Sequence, residues 1–95
     1  MHVQELTAFF NAIREDNRIL PSHIAVYMAL FECWNQRKFQ NPVPIQRREI
    51  MTIAKINGLA TYHRCIRDLH QFGYIRYIPS YNAALSSQVV ITVKG

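Results

Sequence analysis

Arg64 and Arg67 stand three residues apart and offer planar guanidinium forks that match the O6 and N7 acceptors of guanine or the oxygens of a phosphate. Thr61, His63 and Gln71 lie on the same stretch and add shorter polar contacts. Arg47 and Arg48 precede them, Lys55 lies between, and Arg76 follows. Any one of these is an ordinary solvated charge on an amphipathic helix. The set carries more weight, because it falls in one part of the chain. Residues 1–33 hold Arg14 and Arg18 against Glu5, Glu15, Asp16 and Glu32, whereas residues 34–95 hold nine cations against Glu49 and Asp68 alone. The net charge of +5 is therefore a basic C-terminal two thirds beside a slightly acidic first third. That division implies one part that meets phosphate and another that assembles.

Other chemistries find less support. His2, His23, His63, His70, Cys33 and Cys65 form no Cys-x-x-Cys or His-x-x-x-His pair, and His63 and His70, two turns apart, fall short of the four ligands of a structural zinc site. No metal and no cofactor is expected, with His63 a polar surface residue and His70 half-buried. Gly58, Gly73 and Gly95 cannot build a phosphate loop. Glu49 and Asp68 are expected isolated on surface faces, which leaves no acid–base pair, so the chain is expected to catalyse no reaction. Two cysteines inside helical patterns make no disulfide framework and fit a reducing cytoplasm. The start lacks the basic and apolar regions of a signal peptide, and the longest apolar run, residues 24–31, is far short of the ~20 residues that span a bilayer. Tyr62, Phe72, Tyr74 and Tyr77 have the spacing of core residues rather than of a platform for stacked bases.

The elements that must position the basic set follow from periodicity. Val3, Leu6, Phe10 and Ile13, with Phe9 beside them, predict an N-terminal helix over residues 3–15, and Pro21 prevents it from running on. Ser22 is the expected N-cap of a central helix reaching to about residue 38. Its two apolar stripes, Ile24, Tyr27, Met28, Phe31 and Trp34 on one side and Val26, Leu30 and Cys33 on another, mark it as buried on most sides. Asn41-Pro42-Val43-Pro44-Ile45 predicts a short edge strand. Residues 46–55 read as helix, with Ile50, Ile53 and Ala54 inward and Arg47, Arg48 and Glu49 outward. Asn57-Gly58 is expected to stop it, with Gly58 in a left-handed turn.

A further helix is expected from about residue 60 or 61 to residue 71, with Tyr62, Cys65, Ile66, Leu69 and Phe72 inward. Arg64, Arg67 and Gln71 lie opposite, and Thr61 and His63 toward the edges. Gly73 ends it. Residues 74–78 and 88–93 then predict an antiparallel hairpin around a loop, residues 79–87, that holds no Lys or Arg. Tyr81, Asn82, Ser86 and Ser87 are left there to bond phosphates, while an equal reading has the hairpin merely close the core. The fold class expected is mainly α with a small β-hairpin, a winged helix-turn-helix with an extra N-terminal helix, as one domain over residues 1–95 with its core in residues 22–93. In such a unit the helix over residues 60–71 lies in the major groove, and Arg47 and Arg48 sit where the preceding helix crosses the backbone.

The segments Phe39-Gln40-Asn41-Pro42, Arg48-Glu49-Ile50-Met51, Thr61-Tyr62-His63-Arg64-Cys65-Ile66, Tyr74-Ile75-Arg76-Tyr77 and Pro79-Ser80-Tyr81-Asn82 resemble small winged-helix proteins of bacterial mobile elements. The resemblance covers about residues 20–90. The core is also similar to the N-terminal winged-helix domains of replication-initiator and primosomal proteins of the DnaD type. It implies a role on double-stranded DNA in transcription, excision or replication control. Related winged helices also serve as protein-interaction modules, so a scaffold for recombination or replication proteins is the alternative. The N-terminal helix lies outside the resemblance. Its stripe, Val3, Leu6, Phe9, Phe10 and Ile13, implies a homodimer in which it and the central helix take part; a fold back onto its own domain is the alternative.

Overall fold

Among the residues described by the computed structural model, 3–82 and 85–92, four helices and a three-stranded antiparallel sheet make a small α+β domain. His2, Val93, Lys94 and Gly95 lie outside the described residues. The elements are α1 (Val3–Ile13), α2 (Pro21–Gln36), β1 (Val43–Ile45), α3 (Arg47–Ala54), α4 (Leu59–Gln71), β2 (Ile75–Ile78) and β3 (Ser87–Ile91). This order and the sheet order β1-β3-β2 are compatible with a winged-helix-like class.

The central helix is buried on most sides, as its composition requires: Val26, Tyr27, Ala29, Leu30, Phe31, Cys33 and Trp34 are all in the core, and α2 packs on α3, α4 and the sheet. Its start corrects the expectation. Ser22 is not the N-cap, because Pro21 takes the first helical position and Leu20 becomes the cap. Leu20 has no polar side chain to close the turn. His23 does this instead, its Nδ1 accepting the Leu20 N–H at 2.8 Å.

Three helices end on the same device. The residue after the last turn turns left-handed, and the next N–H reaches back across the turn: Phe39 to the Trp34 carbonyl at 2.8 Å, Ile56 to Met51 at 3.0 Å, Tyr74 to Leu69 at 2.9 Å. Each pair is apolar, and Trp34 and Phe39 meet edge to face at 5.0 Å. The third stop uses Gly73, as expected, with φ 88°. The second does not use Gly58, which has φ −91° and caps α4; Lys55 takes the left-handed position at φ 61°. Ile53, expected inward, is exposed, and Ile50 and Ala54 hold α3 to the core.

Helix α1 folds back onto its own domain. Phe9 is only 2% exposed, stacks on Tyr27 with ring centroids 3.7 Å apart, and meets Tyr74 edge-on at 5.5 Å. Leu6 and Ile13 pack beside it, while Val3 and Phe10 stay exposed. The connection to α2 is clamped: Asp16 accepts from the Arg18 backbone and guanidinium and from the Tyr74 hydroxyl at 2.7 Å, and Arg18 lies 4.0 Å over the Phe72 ring.

In the sheet, β1 pairs with β3 in the register Val43↔Val89, Pro44↔Gln88, Ile45↔Ser87, and β2 pairs with β3 from Ile75↔Ile91 to Ile78↔Gln88. The Tyr77 N–H leaves the ladder for Nδ1 of His70 at 3.0 Å, so Tyr77 faces the outer edge of β2. Ladder bonds alternate sides along an antiparallel strand, so Gln88 bonds β2, and Pro44, opposite it, has its donorless nitrogen on the outer edge of β1. Asn41 extends the β1 side, its Oδ1 accepting the Ile91 N–H at 3.0 Å.

Candidate functional site

Helix α4 presents the residues at issue. Tyr62, Cys65, Ile66 and Leu69 hold it to the core, with Leu69 0% exposed, and Phe72 is partly buried. The opposite side carries Ala60, His63, Arg67 and Gln71, all exposed, with Leu59 and His70 at its flanks. Thr61 is half-buried.

Arg64 departs from the expected arrangement. It sits toward the side where α2 begins and is half-buried, its guanidinium donating to Ser22 Oγ at 3.0 Å. One turn on, Asp68 accepts from Nε2 of His23 at 2.9 Å. Because Nδ1 of His23 already accepts the Leu20 N–H, its ring proton sits on Nε2, and the buried ring is satisfied on both nitrogens. Two polar links thus fix the rotation of α4 against the first turn of α2. His70, expected half-buried, is exposed. With Nδ1 committed to the Tyr77 N–H, it shows a donor Nε2–H to solvent. Its place on the helix face of His63 is the one sequence signal for it. His63, Arg67 and His70 border a shallow dent floored by Tyr62, Ile66 and Tyr77.

The other cations divide into two groups. Arg47, Arg48 and Lys55 are exposed and line one open groove along α3 with Met51, Thr52, Asn57 and Leu59. Arg76 stands apart, exposed on β2 and on the opposite face of the sheet from Ile75 and Tyr77. Of the two carboxylates of this half, Glu49 is exposed as expected and Asp68 is half-buried, and each has a partner. Glu49 accepts from the Cys33 thiol at 3.0 Å, and Asp68 is tied to His23. The exposed side of α4 therefore carries Arg67 with no carboxylate beside it, and Glu49 is the one carboxylate exposed on α3.

Burial first and the Glu49 carboxylate second push the Cys33 thiol up to about 12, far from the thiolate a nucleophile needs. Burial likewise pushes the Tyr62 hydroxyl up to about 12. Asp16 is held well below the usual carboxylate range, chiefly by the Arg18 guanidinium and then by the Tyr74 hydroxyl. Cys33 and Cys65 are both buried and free. Among the described residues, no three His, Cys, Asp or Glu side chains converge as a metal cluster, and no helix is long and apolar enough to cross a membrane. Comparison with protein-family models, with curated proteins and with solved structures gave no match.

Proposed function

We propose that this chain is a winged-helix protein that binds double-stranded DNA, with α4 in the major groove, α3 crossing the backbone and the β2–β3 hairpin as the wing. The observation that carries the reading is the exposed side of α4. Arg67, Gln71 and His63 stand on it in the open, the Arg47, Arg48 and Lys55 groove lies alongside, and Asp68, the one carboxylate of α4, is tied to His23. In this reading Arg67 and Gln71 meet base edges, and Arg47, Arg48 and Lys55 meet phosphates. Arg64 acts through Ser22 on the angle of the helix. The setting is the cytoplasm, and the resemblance to small winged-helix proteins of bacterial mobile elements suggests control of transcription, excision or replication there.

The test is selection from a pool of random duplexes followed by titration against salt. Binding that persists at about 100 mM salt, with a log–log slope matching several phosphate contacts, supports the reading. A parent protein that captures no duplex under those conditions overturns it. One observation favours a protein contact in addition: Val3 and Phe10 on α1, Met28 on α2 and Leu20 at the α2 cap remain exposed. They suit a second copy of this chain, and light scattering that shows only monomer at tens of micromolar removes that homodimer.

A further inference from the structure

We propose that the dent between α4 and β2 reads thymine, its floor taking the C5 methyl while His70 donates to O4 of the same base; this inference rests on the DNA reading above. Tyr62, Ile66 and Tyr77 make the floor, and His63, Arg67 and His70 the rim. At ~100° per residue Ile66, His70, His63 and Arg67 follow one another round the helix, so the dent opens on the flank of the exposed side. Tyr62 and Ile66 are each only 5% exposed, so the floor is closed, and a group that lands there lies on packed hydrocarbon and ring edges. The walls are fixed before a ligand arrives. Tyr77 is held at both ends, its N–H on Nδ1 of His70 at 3.0 Å and its hydroxyl on Ser87 Oγ at 3.1 Å, and the His63 ring meets Tyr62 edge to face at 5.4 Å. A base that docks there has little left to order.

The rim decides the ligand. A guanidinium can only donate, and His70, with Nδ1 taken by the Tyr77 N–H, presents Nε2–H alone. These two groups ask for acceptors, and the floor asks for something apolar. In the major groove guanine shows two acceptors and no apolar group, adenine an acceptor beside a donor, and cytosine a donor; thymine alone sets an acceptor beside a methyl. Thymine therefore satisfies floor and rim together. 5-Methylcytosine brings the methyl but turns an N4 donor toward the His70 donor. Arg67, closer to the outermost line of the helix, is left for the neighbouring base pair. A leucine or methionine from a protein partner fills the floor and leaves both donors unmet.

The experiment uses a duplex selected by the parent protein from the random pool, with each of its thymines remade in turn as uracil, as cytosine paired with guanine, and as 5-methylcytosine paired with guanine. At one position uracil, which lacks only the methyl, is expected to weaken binding roughly 4-fold, the worth of one buried methyl. Cytosine at that position is expected to cost roughly 5- to 150-fold, and 5-methylcytosine to recover only the share of the methyl. His70→Asn keeps an acceptor for the Tyr77 N–H in its Oδ1 and removes the donor at the Nε2 position. Checked for folding by circular dichroism, it is expected to retain the uracil effect and to lose the preference for thymine over 5-methylcytosine. A selected site with no fixed thymine, or uracil substitutions that all leave affinity within about 2-fold, overturn the thymine reading and leave the DNA reading standing. So does a His70→Asn protein that favours thymine over 5-methylcytosine as the parent does. A parent that binds no duplex overturns both.

Discussion

Replacing Phe9 with alanine tests whether α1 belongs to the core in solution. The side chain is 2% exposed, lies flat on Tyr27 with planes 2° apart, and closes edge-on against Tyr74. Truncating a buried phenylalanine costs about 3–5 kcal/mol, within which each lost aromatic pair accounts for roughly 0.5–1.5 kcal/mol. The partners are not free to fill the gap, because Tyr74 is held by Asp16 and Tyr27 is fixed in the middle of α2. The upper half of that range is therefore expected. A domain of this length has a total stability of about 5–14 kcal/mol, so Phe9→Ala removes a third or more of it. Phe10→Ala, next in sequence but exposed, should change stability by less than about 1 kcal/mol. Urea unfolding followed by the fluorescence of the buried Trp34 measures both. A loss below about 1 kcal/mol for Phe9→Ala, or equal losses for the two, would mean that α1 leaves the domain in solution and that its packing carries no weight.

Arg67→Ala should weaken binding to a selected duplex by ~1–3 kcal/mol with little change in melting temperature, whereas Arg64→Ala should cost about 0.5–1.5 kcal/mol of stability through the lost Ser22 bond. Gel shifts and thermal melts on both variants check this, and a reversed pattern would return Arg64 to the interface. Lys55→Gly should stabilise the fold by about 1 kcal/mol by relieving a left-handed lysine, yet weaken all duplexes alike; denaturant midpoints and salt titrations report the two effects. Stability should fall at both ends of the pH range. Asp16 is depressed, so its contribution is present above the ordinary carboxylate value near 4 and is lost as pH falls below it, and Asp16→Asn should flatten that limb. Tyr27, Tyr62 and Cys33 are raised to about 12, so their contributions are present below pH 9 and are lost toward pH 12, each by up to about 1.4 kcal/mol per unit. Urea midpoints from pH 2 to 11 follow both limbs.

Much of the architecture was legible because it rests on period and punctuation. The stripe Tyr62, Cys65, Ile66, Leu69 names the buried side of α4 unaided, two prolines announce the edge strand, and Gly73 marks a helix stop. What escaped depends on groups distant in sequence. Nothing local says that Arg64 will be drawn aside, since that follows from Ser22 lying 42 residues earlier. His23 stands in the sequence only as one of six possible metal ligands, and its burial follows from Leu20 and Asp68, which claim its two nitrogens. Lys38 and Lys55 turn left-handed without the glycine that advertises the turn, because the apolar contacts behind them, Phe39 on Trp34 and Ile56 near Met51, outweigh a strain of about 1 kcal/mol each. The cations of the proposed interface were legible as a set. Which of them face outward was settled by packing.

The two borders of the sheet bear on how the protein behaves when crowded. A three-stranded sheet has two free rims, and a free rim is a template on which another chain lays a strand, the first step toward swapped dimers and fibrils. Here one rim presents Pro44, which offers no N–H, and the other is occupied at Tyr77 by the His70 ring. Copies gathered at high concentration are then kept from zipping together through their sheets. Association is left to side chains, which can be outcompeted and reversed. Opening the His70 rim with His70→Ala should appear first as slow aggregation at high protein concentration, before any loss in melting temperature.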